Sequence, residues 1–290
     1  MNTAISGLAP AKINLFLRVT GKRPNGYHEL DSLFMPVALY DRVTINLRAG
    51  SRFSATVRSD RPELPTDERN LALKAALRMF ERYRIQCEVS IDLHKHIPLG
   101  AGLGGGSSDA GTVIRMLAGA WGIADREGLA AVALSVGADV PFFLDPRPAR
   151  VGGIGEKITP LPTAPTLELV LAASPIEVST ARVYARLKPT QWSGPAADAD
   201  LERFCAGDLP PAILVNDLAQ PALELYPPIE RLWHLVEASL PKACGMSGSG
   251  GTVFAIYPHA QAAKQARDRI RRLDPTLATI ALRTIPALAD

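Results

Sequence analysis

The chain has 290 residues, 47% hydrophobic and 21% charged, with 32 Lys plus Arg against 29 Asp plus Glu and a formal net charge of +3. At about 150 residues per domain this length fits two domains, and it can bury a core without disulfides or a structural metal, so a disordered chain is excluded. The near balance of charge leaves only a short Arg-rich stretch at 267–272 and no basic face, so nucleic acid is not the expected partner.

Three cysteines, Cys87, Cys205 and Cys244, are scattered and form no C-x-x-C pair. That pattern points to a reducing compartment and away from a disulfide framework or zinc site. The N-terminal residues show no charged segment followed by an apolar one, and no apolar run approaches the ~20 residues of a membrane span. The expectation is a cytoplasmic protein without a membrane partner.

Residues 12–20 alternate, with Ile13, Leu15, Leu17 and Val19 on one face, which predicts a half-buried strand. Residues 21–28 form a turn by composition, with Pro24, Asn25 and Gly26 together. Strands are expected at 42–48 and 52–58, a helix at 70–83 with Leu73, Leu77 and Phe80 in register, and a strand at 88–93. A glycine-rich loop at 100–106 leads to a helix over 107–121, striped by Ala110, Val113, Ile114, Leu117 and Trp121. Asp125 reads as the N-cap of a further helix ending before Gly137.

The Pro- and Gly-rich stretch 145–166 holds the expected domain boundary, giving domains 1–160 and 161–290. Beyond it come a strand at 167–173, an exposed excursion at 188–211, a helix at 229–240, a strand at 252–257, a helix at 260–273 and a strand at 278–284. Strands and helices mix without regular βαβ alternation, so the fold class is α+β.

The strongest chemical signal runs from Pro98 to Ala110, where five of the seven residues 100–106 are glycine. Glycine permits positive φ and close approach of backbone to a ligand. A loop of this kind opening a helix aims free N–H groups at an anion, the natural cradle of a phosphate chain. Ser107 and Ser108 are expected at the N-cap and first turn, within reach of a phosphate or its Mg²⁺. A flexible linker before a capped helix is the plain alternative, but Leu99 and Leu103 among the glycines suit a fixed loop. A Walker A loop needs a Lys that is absent here. Gly100, Gly102 and Gly105 match G-x-G-x-x-G, yet several elements precede them, whereas a dinucleotide fingerprint opens its βαβ unit.

Pro98–Ser107 resembles the phosphate loop of the GHMP kinase superfamily, P-x-x-x-G-L-G-[SG]-[SG]-[SA]. Two more motifs stand in the expected order, Pro10-Ala-Lys-Ile-Asn-Leu15 and Gly245-Met-Ser-Gly-Ser-Gly-Gly-Thr252. The stretches 11–17, 26–30 (GYHEL) and 137–143 (GADVPFF) further resemble the branch that phosphorylates the 2-hydroxyl of a cytidine-diphosphate-linked methylerythritol, in non-mevalonate isoprenoid precursor synthesis.

The resemblance implies a two-domain GHMP kinase fold with the active site in the inter-domain cleft, ATP and Mg²⁺ as cofactors, and a small-molecule acceptor; the chain is expected as monomer or homodimer. It implies ATP binding by Pro98, Leu99, Gly100, Ala101, Gly102, Leu103, Gly104, Gly105, Gly106, Ser107 and Ser108. It implies catalysis by Asp139, accepting the alcohol proton, and Lys12, which keeps that carboxylate ionised and favours developing negative charge. It implies acceptor binding by Asn14, Tyr27, His28, Thr180, Tyr184, Ser247 and Gly248, with Tyr27 stacking on the cytosine, His28 reading its edge and Tyr184 the candidate second ring.

By residue type alone, Asp139 could be a turn cap, Lys12 a strand-edge lysine, and Tyr27 and His28 turn residues without a role. The metal ligands stay open, with Ser108 a candidate. His94 and His96 alternate on one face, but no third ligand accompanies them. Another GHMP kinase of small alcohols, of homoserine or mevalonate type, is the alternative; a non-catalytic nucleotide-binding module and a dehydrogenase are the remaining ones.

Overall fold

The computed structural model describes residues 2–286. By contact density the chain divides into two compact units. The first takes the residues up to Ala11, Leu39–Ile97 and Gly104–Pro146; the second takes Lys12–Ala38, Pro98–Leu103 and the described residues from Arg147 onward.

The elements in chain order are β1 (Asn2–Lys22), β2 (His28–Ala49), β3 (Ser54–Ser59), α1 (Leu71–Tyr83), β4 (Cys87–His94), α2 (Gly105–Trp121) and α3 (Arg126–Val136). A short 3-10 helix, Val140–Leu144, leads to β5 (Ala149–Gly153), β6 (Lys157–Pro160) and β7 (Glu168–Ala173). Then follow α4 (Thr180–Arg186), α5 (Asp198–Cys205), α6 (Ala219–Leu225), α7 (Pro227–Glu237), β8 (Ala243–Ser247), β9 (Thr252–Tyr257), α8 (Ala260–Leu273) and β10 (Ala278–Arg283).

In the first unit the latter part of β2 pairs antiparallel with β4, from Arg42 opposite His94 to Ala49 opposite Cys87, and β3 runs parallel to β4. Val43, Ile45, Val89 and Ile91 point into a core completed by Ala76 and Met79 of α1, Val113 and Leu117 of α2, and Ala133 of α3. The alternation of β4, buried at every second residue, is the period-2 pattern of a sheet wet on one face. Asn70 starts α1 by accepting from Ala72 N–H at 3.0 Å, and Asp125 starts α3 by accepting from Gly128 N–H at 2.8 Å.

In the second unit the early part of β2 pairs with β5, and β5 with β6. A separate four-stranded antiparallel sheet has the order β10-β7-β9-β8. Val170, Val253 and Ala255 of this sheet pack with Leu232 and Val236 of α7 and Ala263, Ala266 and Ile270 of α8. A further cluster joins Leu17 and Val19 of β1 to Val183, Leu218, Ile229 and Met246.

Several expectations are corrected. β2 begins at His28, not at 42, because Asp31–Val37 is buried without interruption and so lacks the alternation that marks a half-wet strand. Likewise β1 begins at Asn2 and not at 12. The Pro- and Gly-rich stretch after Asp145, where the domain boundary was expected, has a unit border between Pro146 and Arg147 and carries the β5–β6 hairpin. The helix after the glycines starts at Gly105, with Gly104 in the N-cap position at φ 72°, so neither serine is the cap. The 188–211 segment is anchored: Phe204 is fully buried, and the main-chain N–H groups of Ser193 and Ala196 donate to the buried carboxylates of Asp217 (2.9 Å) and Asp31 (2.8 Å).

Candidate active site

The glycine-rich loop is fixed by backbone contacts no side chain could share. Gly102 has φ 74°, and a Cβ there would stand 2.5 Å from the carbonyl oxygen of Ser247 and 2.9 Å from that of Gly250. The loop thus packs bare peptide against bare peptide of the Ser247–Gly251 turn, where a Cβ at Gly251 would meet the Ala101 Cα at 3.0 Å. The Ser247 hydroxyl donates to the Gly102 carbonyl at 2.9 Å and accepts from the Asn14 N–H at 3.2 Å. The Lys12 N–H donates to the Leu103 carbonyl at 2.9 Å.

Lys12 and Asn14 sit two residues apart on β1, hence on one strand face. Both are buried, at 4% and 3% exposure. The Lys12 ammonium donates to Asn14 Oδ1 at 2.6 Å and lies 4.4 Å from the centre of the Phe34 ring. Asn14 Nδ2 donates onward to the Ser32 hydroxyl at 3.0 Å, which donates to the Phe16 carbonyl. A buried ammonium needs such partners, since transfer of a charge from water is costly without them. The second unit therefore brings together Lys12, Asn14, Gly100–Leu103, Ser247 and Gly248.

His28 and Tyr184 form a stacked pair, with ring centres 5.0 Å apart and planes at 24°. Trp192 meets His28 edge-on at 6.0 Å. Burial, with a smaller contribution from the Lys22 charge, pulls the His28 pKa below 6.5, so the ring is neutral at pH 7. Tyr27 is 61% exposed, beside the turn that sets it. Thr180 shares a hydrogen bond with the Ser249 hydroxyl at 2.7 Å, at the start of α4.

In the first unit Gly104 is the N-cap of α2, and no side chain caps the leading N–H groups of the helix. Ser108, fully buried, donates its hydroxyl to the Pro10 carbonyl at 2.7 Å, and its N–H donates to the Gly104 carbonyl at 2.8 Å. Asp139 immediately precedes the 3-10 helix Val140–Leu144 and does not cap it with its side chain. His94 faces His96 at 4.7 Å and pairs with Asp60. Among the described residues no group of three His, Cys, Asp or Glu is arranged to hold a metal ion. No described helix is long and apolar enough to cross a membrane.

Two residues at the site escaped sequence reasoning. Asn216 Nδ2 donates to the carbonyls of Met246 (2.8 Å) and Gly248 (2.9 Å), bracing the turn against the loop. Trp192 lies in the segment expected to be an exposed excursion. An Asn-Asp pair after apolar residues was the only local hint of the first; nothing local marked the second.

The comparisons with known proteins cover nearly the whole chain. Residues 70–145 match the family described as GHMP kinases N terminal domain, and 200–275 match GHMP kinases C terminal. A 4-diphosphocytidyl-2-C-methyl-D-erythritol kinase of Anaeromyxobacter dehalogenans is 42% identical over 89% of this chain and 82% of its own length. The kinase of the same name from Symbiobacterium thermophilum is 38% identical over 91% and 94%. A crystal structure of 4-(cytidine 5'-diphospho)-2C-methyl-D-erythritol kinase superposes with a TM-score of 0.82 at 34% identity, covering 97% of this chain and 99% of the other. A homoserine kinase from Cytophaga hutchinsonii shares the fold, with a TM-score of 0.74 at 20% identity. The chain belongs to the 4-diphosphocytidyl-2-C-methyl-D-erythritol kinase family of the GHMP kinases.

Proposed function

We propose that the protein transfers the γ-phosphoryl group of ATP to the 2-hydroxyl of 4-diphosphocytidyl-2-C-methyl-D-erythritol. The observation that carries this reading is the network in which Ser247 links Asn14 to Gly102, with Lys12 bonded to Asn14 and to the loop. It puts a buried ammonium and a rigid, glycine-lined loop in one compact unit.

The residues fit a triphosphate. The loop is bare backbone at Gly102, and α2 begins without a side-chain cap, so main-chain N–H groups hold the phosphates. Mg²⁺ bound with ATP would supply positive charge to the phosphate chain, and Ser108 would be its candidate protein contact, although its hydroxyl already donates to Pro10. Phosphoryl transfer asks mainly for alignment and charge stabilisation. Asp139 accepts the proton as the acceptor oxygen bonds to the γ-phosphorus and the bond to the β-phosphate oxygen breaks. Lys12 favours the negative charge that develops on that oxygen. His28, neutral, offers a donor and an acceptor to a base edge, and Tyr184 offers a ring face.

ADP release from ATP, Mg²⁺ and the cytidyl substrate, compared for wild type and Asp139→Asn, tests the reading. Release is expected from wild type and a fall of about a hundredfold to ten-thousandfold in the variant. No release from wild type overturns the kinase reading, and equal release overturns the role of Asp139. A homoserine- or mevalonate-type acceptor is disfavoured because such substrates carry no base for His28 and Tyr184 to hold.

A further inference from the structure

Lys95 is 4% exposed, yet no step above uses it. Its ammonium donates to two carboxylates, Asp41 of β2 and Asp109 of α2, which are 0% and 3% exposed. Asp41 is also tied to the main chain, for its other oxygen accepts the N–H groups of His96 at 2.6 Å and Ile97 at 2.9 Å. These two residues immediately precede Pro98, where the glycine-rich loop begins, while Asp109 stands in the fifth position of α2, where the loop ends. The two stems also touch directly, since a Cβ at Gly105 would lie 3.0 Å from Ile97 Cγ2 and 3.5 Å from Asp41 Oδ2. All of these residues except Pro98 lie in the first unit.

We propose that Lys95 is a positioning residue for the phosphoryl donor, strapping the chain entering the glycine-rich loop to the helix leaving it. The inference rests on the reading that this loop holds the phosphates of ATP. Its support is that the cluster makes little sense as a source of stability. Two buried carboxylates face one ammonium, and Asp109 Oδ1 has no hydrogen-bond partner among the described residues. Burial raises the Asp109 carboxyl to about 7, with Lys95 opposing and Asp41 adding to the rise. Burial pulls the Lys95 ammonium down, but the two acids outweigh it and leave its pKa raised. A buried ion group is commonly no more stable than apolar residues of the same shape, so its retention calls for a geometric cause. Here the geometry is a cross-link over the mouth of a loop whose backbone N–H groups must be held in place before the anion arrives.

The test uses the full-length enzyme with Asp109→Ala and Asp109→Asn. Alanine removes the anchor on α2 and leaves Lys95 paired one-to-one with Asp41, so folding is retained. Asparagine keeps an oxygen that accepts from Lys95. The KM for ATP is expected to rise about tenfold in Asp109→Ala and to return within about twofold of wild type in Asp109→Asn, with the KM for the cytidyl acceptor unchanged in both. Hydrogen exchange of the amides at 99–106, which needs no turnover, is expected to speed up in the alanine variant alone.

An unchanged ATP KM and unchanged exchange in Asp109→Ala overturn the inference while leaving the kinase reading intact. So does a parallel rise in both KM values, the mark of a merely weakened fold. If the wild type neither binds nor turns over ATP, both fall together.

Discussion

The Lys12 ammonium donates a 2.6 Å hydrogen bond to the Asn14 side-chain oxygen, two residues along the same strand. The amide of Asn14 is in turn committed to Ser32, so its oxygen is the end that faces the lysine. That bond ends on a neutral acceptor and fixes the direction of the ammonium. Lys12→Met is expected to lower kcat by about a hundredfold or more, with a small change in the KM for ATP. Asn14→Leu is expected to lower kcat less, by about tenfold, through a misdirected ammonium. Steady-state ADP release checks both.

Gly102 cannot accept a methyl group. Its φ of 74° disfavours any other residue, and the added carbon would collide with two backbone oxygens. Gly102→Ala is expected to cost about 2 kcal/mol of stability and to raise the ATP KM strongly. Thermal unfolding and ATP titration follow the two effects. Gly26, also at positive φ but with open space around it, is the control: Gly26→Ala carries the backbone strain without the collision.

His28 gives a signed pH prediction. Its pKa is lowered on folding, first by burial and then by Lys22, so acid must force a proton onto a ring that the fold keeps neutral. In the folded protein the pKa lies below the unfolded value, so the unfolded state binds more protons as the pH drops past 6.5. The contribution to stability is absent above that pH and turns unfavourable below it. Acceptor binding is expected to weaken over the same acidic range as the ring becomes a donor only. In His28→Gln the acceptor KM is expected to be higher and flat over this range; acceptor KM measured from about pH 5 to 8 decides the matter.

Arg150 makes a bidentate pair with the buried Asp31, Nε to Oδ1 at 2.7 Å and Nη2 to Oδ2 at 2.8 Å, and also donates to the Ala196 carbonyl. Arg150→Met leaves a buried carboxylate without its cation and is expected to destabilise the protein by about 3 kcal/mol in urea unfolding. Because Ala196 hangs on the same pair, limited proteolysis is expected to open near 193–197 in this variant first.

Much of the fold was legible because its signals are local. The apolar register of Leu73, Leu77 and Phe80 marks α1, Asp125 announces α3 by a short polar cap, and β4 alternates as a strand with one wet face must. The segment 31–37 was not legible, because a strand buried on both faces carries no period and Pro36 argues against regular structure. The motifs name Lys12, Asn14, Gly102 and Ser247 without saying how they meet, and the structure bonds them in series. Trp192 and Asn216 were invisible for the opposite reason: what each does at the site depends on a partner far away in the chain, His28 in one case and Met246 and Gly248 in the other.

The Ser247 hydroxyl gives its proton to one backbone and a lone pair to another, so the turn, the loop and the first strand cannot be redesigned separately. By contrast His28, Tyr184 and Trp192 come from three independent stretches of chain, and His28 meets the other two through ring faces and edges. Laboratory selection for a different alcohol would accordingly be expected to accumulate changes at these three rings while position 247 stays serine.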